Sequence, residues 1–193
     1  MSREVTELEV KMQLAEIIGT WVAAVAVVVG GIFGIFQFLE HKSALRVDRT
    51  MAFVERYHAN NLLVEARLKV TDVMSRRVED INKVIENPDM APDDLAKSFN
   101  AEVVKIVKEE SLSGPLEQLF TFYEQILMCR KMELCEAEVA ENFFDSDGQA
   151  FLLTFYPYIC HIRSEWHNPE QYEKIMTYYI GENLEVCDEN SQS

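Results

Sequence analysis

Between Glu16 and Glu40 the chain runs for twenty-three residues, Ile17 to Leu39, without one charged side chain. At a helical rise of about 1.5 Å per residue this stretch covers roughly 35 Å, enough to cross the hydrocarbon core of a bilayer with some tilt. Its hydrogen-bonding side chains are Thr20, Gln37 and the indole of Trp21. A secretory signal would pair a basic leader with a shorter apolar core. Here Met1 to Glu16 holds Glu4, Glu7, Glu9 and Glu16 against Arg3 and Lys11. A buried helix of a soluble protein is ordinarily shorter and broken by polar positions. The expectation is a single-pass membrane protein: a short N-terminal segment (1–16), a transmembrane helix (17–39) and a domain beyond it.

Residues 40–193 carry 16 Lys plus Arg and 29 Asp plus Glu, a balance of 16 − 29 = −13. Such a surface repels phosphate backbones, so direct nucleic-acid binding is not expected. Lys42, Arg46, Arg49 and Arg56 follow the span, against Arg3 and Lys11 before it. Basic residues near a membrane favour the cytoplasmic face, which predicts a cytoplasmic domain. Cys129, Cys135, Cys160 and Cys187 show no paired spacing and are expected to be free thiols in a reducing compartment. Cys129 and Cys135, six apart, would lie on different faces of one helix, and no histidine nearby completes a metal site. No metal or cofactor is expected.

Beyond the span the chain reads as helical throughout. Lys42 to Glu86 contains neither Gly nor Pro, and Val47, Met51 and Val54, then Val70, Val73, Met74, Val78, Ile81 and Ile85 recur at helical spacing. One long juxtamembrane helix, or two nearly collinear ones with a break at Asn60 and Asn61, is predicted. Asn87 to Asp94, with Pro88 and Pro92, is a connector. A helix carrying Leu95, Phe99, Val103 and Ile106 follows, and Ser111 to Pro115 opens another with Leu116, Leu119, Phe120, Tyr123, Ile126 and Leu127. A short helix is predicted over Cys135 to Phe144. Ser146 and Gln149 then form a capping box opening a helix with Leu152, Phe155, Ile159, Ile162 and Trp166 on one face. Asn168, Pro169 and Gln171 start a last helix that ends at Gly181, before an acidic tail (182–193). The fold class is all-α: one transmembrane helix followed by a helical bundle over 40–181.

Four features could carry function. Gly30, Gly31 and Gly34 lie inside the span, Gly30 and Gly34 as a GxxxG pattern that lets helix backbones approach closely. A single span cannot enclose a pore, so conduction would require a homo-oligomer. Arg163 and His167 lie one helical turn apart, near His161 and Trp166, and Trp166 is an interface candidate. His58, on the stripe of Val47, Met51 and Val54, could sense pH or line an interface. Cys160 beside His161 lacks a converging second pair, so no metal site is expected there. No phosphate loop, HExxH, paired CxxC or serine elbow is present, and nothing in the sequence makes a positive case for an enzyme.

The order of an uncharged span, a long helix with Arg46, Arg49 and Tyr57, and the stretch Pro115-Leu116-Glu117-Gln118-Leu119-Phe120-Thr121-Phe122-Tyr123-Glu124 running to Phe143-Phe144 is similar to a widespread bacterial family of membrane-anchored helical proteins of unknown function. Glu124, Glu136 to Phe144, and Arg163 with Trp166 match that family's pattern. The chain also resembles the accessory membrane proteins of type VI-B CRISPR systems. These pair one span with a helical domain bearing a degenerate HEPN-like Arg and His, and assemble into rings that perforate the membrane. Arg163 and His167 would match that pair, with only three residues between them where HEPN ribonucleases have four to six. The resemblance implies a pore-type effector of antiviral defence, coupled to an RNA-guided ribonuclease. A membrane-tethered adaptor for a cytoplasmic partner and a divergent ribonuclease are the alternatives.

Overall fold

The computed structural model describes residues 2–86, 91–181 and 187. All regular structure among them is helical: α1 (Ser2–Ala59), α2 (Asn61–Arg76), α3 (Val78–Ile85), α4 (Pro92–Glu109), α5 (Ser113–Lys131), α6 (Ala137–Glu165) and α7 (Glu173–Ile180). The chain divides into two units, Met1–Leu45 and Arg46–Ser193, each described by itself.

The first unit is the greater part of α1. Its apolar stretch is long and apolar enough to cross a membrane, and every side chain from Trp21 to Leu39 is exposed.

The second unit is a bundle in which α2 packs on α5, α4 on α3 and α6, and α7 on α5 and α6. Its centre is α5, whose Leu116, Leu119, Phe120, Phe122, Tyr123, Ile126 and Leu127 are all buried. This is the broad apolar stripe the sequence predicts. Removing each such side chain from water contributes roughly 1.5–3 kcal/mol. The end of α1 joins through aromatic rings: Tyr57 stacks on Phe122 at 5.0 Å and meets Phe144 edge-on at 5.8 Å. Arg67 of α2 lies over the outer part of this cluster, 4.6 Å from the Tyr57 ring centroid.

The predicted break falls at Asn60. Its backbone is extended, and its side chain accepts from the N–H groups of Leu62 and Leu63 at 3.0 and 3.3 Å, capping α2. A second break at Arg77 was not legible in the periodicity. There the guanidinium meets Asp80, Glu109 and Glu110 at 3.1, 2.7 and 3.1 Å, joining the α2–α3 corner to the end of α4. Of the expected connector, residues 87–90 lie outside the described residues, and α4 already begins at Pro92. The acidic tail, apart from Cys187, also lies outside them.

The two helices predicted over 135–166 are one, so Ser146 caps nothing. Asp145, Ser146 and Asp147 do not end a helix here because Asp145 is held by its neighbours. Arg130 of α5 donates to one of its carboxylate oxygens at 2.7 Å and the Tyr178 hydroxyl of α7 to the other at 2.9 Å. Gly148 is a packing residue rather than a breaker: a Cβ there would sit 2.8 Å from the Tyr179 ring and 2.9 Å from that of Tyr123. The start of α6 is met by a distant helix, the N–H of Glu136 donating to Thr50 Oγ at 2.8 Å while that hydroxyl donates to the Arg46 carbonyl.

Candidate functional site

In the first unit, a Cβ built on Gly30, Gly31 or Gly34 would meet no neighbouring atom within 4 Å. Among the described residues nothing uses the room these glycines leave, in contrast to Gly148. Four residues apart on a helix, Gly30 and Gly34 share a face and form a notch of the kind another helix fills.

Arg163 and His167 do not share a helix face. α6 ends at Glu165, and His167 is exposed with φ 52°, in the left-handed region. Its N–H bonds to the Ser164 carbonyl and that of Asn168 to the Arg163 carbonyl, the hydrogen-bond pair of a Schellman motif with His167 in the position glycine usually takes. The Arg163 Nε–H donates to the Gln171 carbonyl at 2.7 Å, and one terminal nitrogen lies 3.8 Å from Cys187 Sγ. The other terminal nitrogen is buried without a hydrogen-bond partner among the described residues. Burial lowers the pKa of this guanidinium. Arg163 thus closes the turn between α6 and α7. Trp166, expected on an apolar face, is the residue just past the helix and is half exposed.

His58 also differs from expectation. It is exposed, its ring packs edge-on against Tyr57 at 5.4 Å, and the inward positions are Val54 and Tyr57. Met51, placed on the same stripe, is exposed as well.

The same helix-ending motif recurs twice. Ser111 (φ 53°) follows α4 and Glu133 (φ 54°) follows α5, each with the matching hydrogen-bond pair. At the second, the reversal brings the N–H groups of Leu134 and Cys135 back to the Cys129 carbonyl at 2.9 and 3.2 Å. Cys135 therefore returns onto Cys129, and the two form a disulfide with Cα atoms 5.3 Å apart. The expectation of free thiols on different faces assumed an unbroken helix and is corrected. Cys160 of α6 pairs likewise with Cys187, and no free cysteine remains.

Two shallow grooves run where α5 meets the end of α1. One, lined by Phe53, Met128, Met132 and Leu134 with Thr121, Glu124 and Gln125 among them, is mostly apolar, and the Glu124 carboxyl is pushed up by burial against the opposing pull of Lys174. The other is mixed, with Leu62, Leu63 and Phe122 beside Asn60, Glu117 and Gln118, and Arg56 donates there to the Gln125 side-chain oxygen at 2.8 Å. His161 stays nearer its neutral form, through burial and then the charge of Lys108. Among the described residues no His, Cys, Asp and Glu cluster could hold a metal ion.

No characterised protein and no solved structure is significantly similar to the chain. One family, described as Domain of unknown function (DUF4760), matches residues 21–179, from inside the apolar stretch of α1 to the last turn of α7. A match over that length covers most of both units, and the chain belongs to the DUF4760 family.

Proposed function

We propose that the protein is a homo-oligomeric, single-pass protein of the bacterial inner membrane whose assembled spans permeabilise or depolarise that membrane. The observation that carries this is the unfilled notch at Gly30, Gly31 and Gly34 in the uncharged stretch of α1, whose side chains from Trp21 to Leu39 are all exposed. Spans pack through this face, the helical domains meet around the axis, and the chain's net charge of −15 favours passage of cations. A setting in CRISPR-associated antiviral defence, coupled to an RNA-guided ribonuclease, is proposed on the sequence resemblance alone. Permeabilisation does not depend on which side of the membrane the bundle occupies. The test is the subunit count of the detergent-purified protein by light scattering, followed by ion flux in liposomes. A ring of six or more that conducts, and that Gly30→Leu with Gly34→Leu disperses, is the expected result. A monomer that stays monomeric in mild detergent overturns it.

A second proposal, a membrane-tethered adaptor, is favoured by the exposed apolar groove of Phe53, Met128, Met132 and Leu134. Methionine-lined surfaces adapt to varied partners. The adaptor would be monomeric or dimeric and leave membrane potential unchanged. No ribonuclease step is proposed through Arg163 and His167, because the Arg163 side chain closes the turn after α6 and the His167 backbone ends that helix, so the two do not share a helix face.

A further inference from the structure

We infer that the helical bundle is a disulfide-bonded domain on the oxidising, extracytoplasmic side of the membrane. All four cysteines of the chain are consumed in two pairs, each with Cα atoms 5.3 Å apart, within the span a disulfide requires. The pairs arise from unrelated local structures. Cys129 and Cys135 are brought together by the left-handed reversal at Glu133, a separation of six residues. Cys160 and Cys187, separated by 27 residues, join α6 to a segment beyond Gly181, where Arg163 also reaches the Cys187 sulfur. Structural disulfides persist where the surroundings are oxidising and are rare in the bacterial cytosol. Two pairs with no thiol left over fit a domain that matures outside it.

The flanking charges oppose this placement only weakly. Of the four basic residues after the span, Arg46 lies 3.6 Å from Glu136 and Arg56 donates to Gln125, so the bundle itself has a use for both. That leaves Lys42 and Arg49 on one side and Arg3 and Lys11 on the other, a tie. The basic-residue rule also governs short loops, and large domains translocate largely regardless of their charge. Each pair closes when two thiols give up two protons and two electrons to the disulfide of a thioredoxin-like protein oxidase, which leaves as a dithiol.

The test uses the full-length protein in its membrane. Free thiols are trapped with acid, the protein is denatured and alkylated, and its intact mass is compared with that of a sample reduced first. No alkyl group before reduction and four after it are expected. In parallel, alkaline phosphatase or green fluorescent protein is fused after Ser193; an active phosphatase and a dark fluorescent protein are expected. Two or more free thiols at trapping overturn the inference. So does a bright fluorescent fusion with inactive phosphatase, even where the disulfides are intact, since it puts the bundle in the cytosol. Neither readout depends on oligomerisation, so the inference and the proposed pore fail separately.

Discussion

Phe36 and Phe122 are the same side chain in two different surroundings. Phe36, in the apolar stretch of α1, is 67% exposed, while Phe122, at the centre of α5, is 1% exposed between Tyr57, Phe53 and Phe144. The glycines repeat the contrast: Gly148 is small because two tyrosine rings press on it, whereas Gly30 and Gly34 are small beside nothing. In the bundle, apolarity and small size are explained by other residues of this chain. In the first unit no other described residue explains them, and the proposed function assigns them to a bilayer and to another copy of the chain.

The sharpest way to break that comparison is truncation of the paired phenylalanines. Phe122→Ala should cost the bundle about 3–5 kcal/mol, read as a large drop in the melting temperature, while Phe36→Ala leaves the melt unchanged. Gly148→Ala comes next. Its Cβ has no room against Tyr179 and Tyr123, and overpacking of this kind costs about 1–3 kcal/mol. Gly34→Ala should leave the melt where it is and alter subunit association instead. If both glycine variants melt like the wild type, the assignment of Gly148 as a close-packing residue is wrong.

Two smaller effects sharpen the picture within the bundle. His167→Gly places a permissive residue in a left-handed position and should gain about 1 kcal/mol, visible as a slightly raised melting temperature. A functional imidazole would instead show up as lost activity with stability no better. Glu124 gives the smallest effect. Its carboxyl is raised by burial, so the folded state is favoured below the ordinary carboxyl range, and that advantage is lost as pH rises through the raised value. Glu124→Gln should therefore melt slightly higher than the wild type at neutral pH, with the gap closing near about pH 4.

Much of this fold was legible from the sequence because its main devices are periodic. The uncharged run, the stripe on α5 and the break at Asn60 each follow from a local rule. The misses share a different cause: three helices end on Ser111, Glu133 and His167, none of them glycine, so their left-handed stops carry no punctuation in the sequence. The one available signal is the leucine just past the first two stops, of which Leu112 is fully buried. Missing the stop at Glu133 hid the Cys129–Cys135 pair, and missing that at His167 put the histidine on a helix face with Arg163. The opposite error, a break placed at Asp145 to Asp147, came from residues that look like a turn until Arg130 and Tyr178 are placed around Asp145. Of the candidate site, the spacing of Gly30 and Gly34 could be read in advance and the cystines could not.

Thr50 sets an order on how the bundle can be completed. Its hydroxyl receives the N–H of Glu136 across 86 residues of chain, so the N-terminal end of α6 is finished by a helix synthesised much earlier. The same hydroxyl is anchored to the Arg46 carbonyl one turn back, which fixes its direction. Inserting one residue between Thr50 and Tyr57 would turn the hydroxyl about 100° relative to the ring packed on Phe122. The ring and the hydroxyl could then no longer both reach their partners. α1 therefore acts as a phase gauge for the domain: a helix wound to the wrong register is detected where the sixth helix begins.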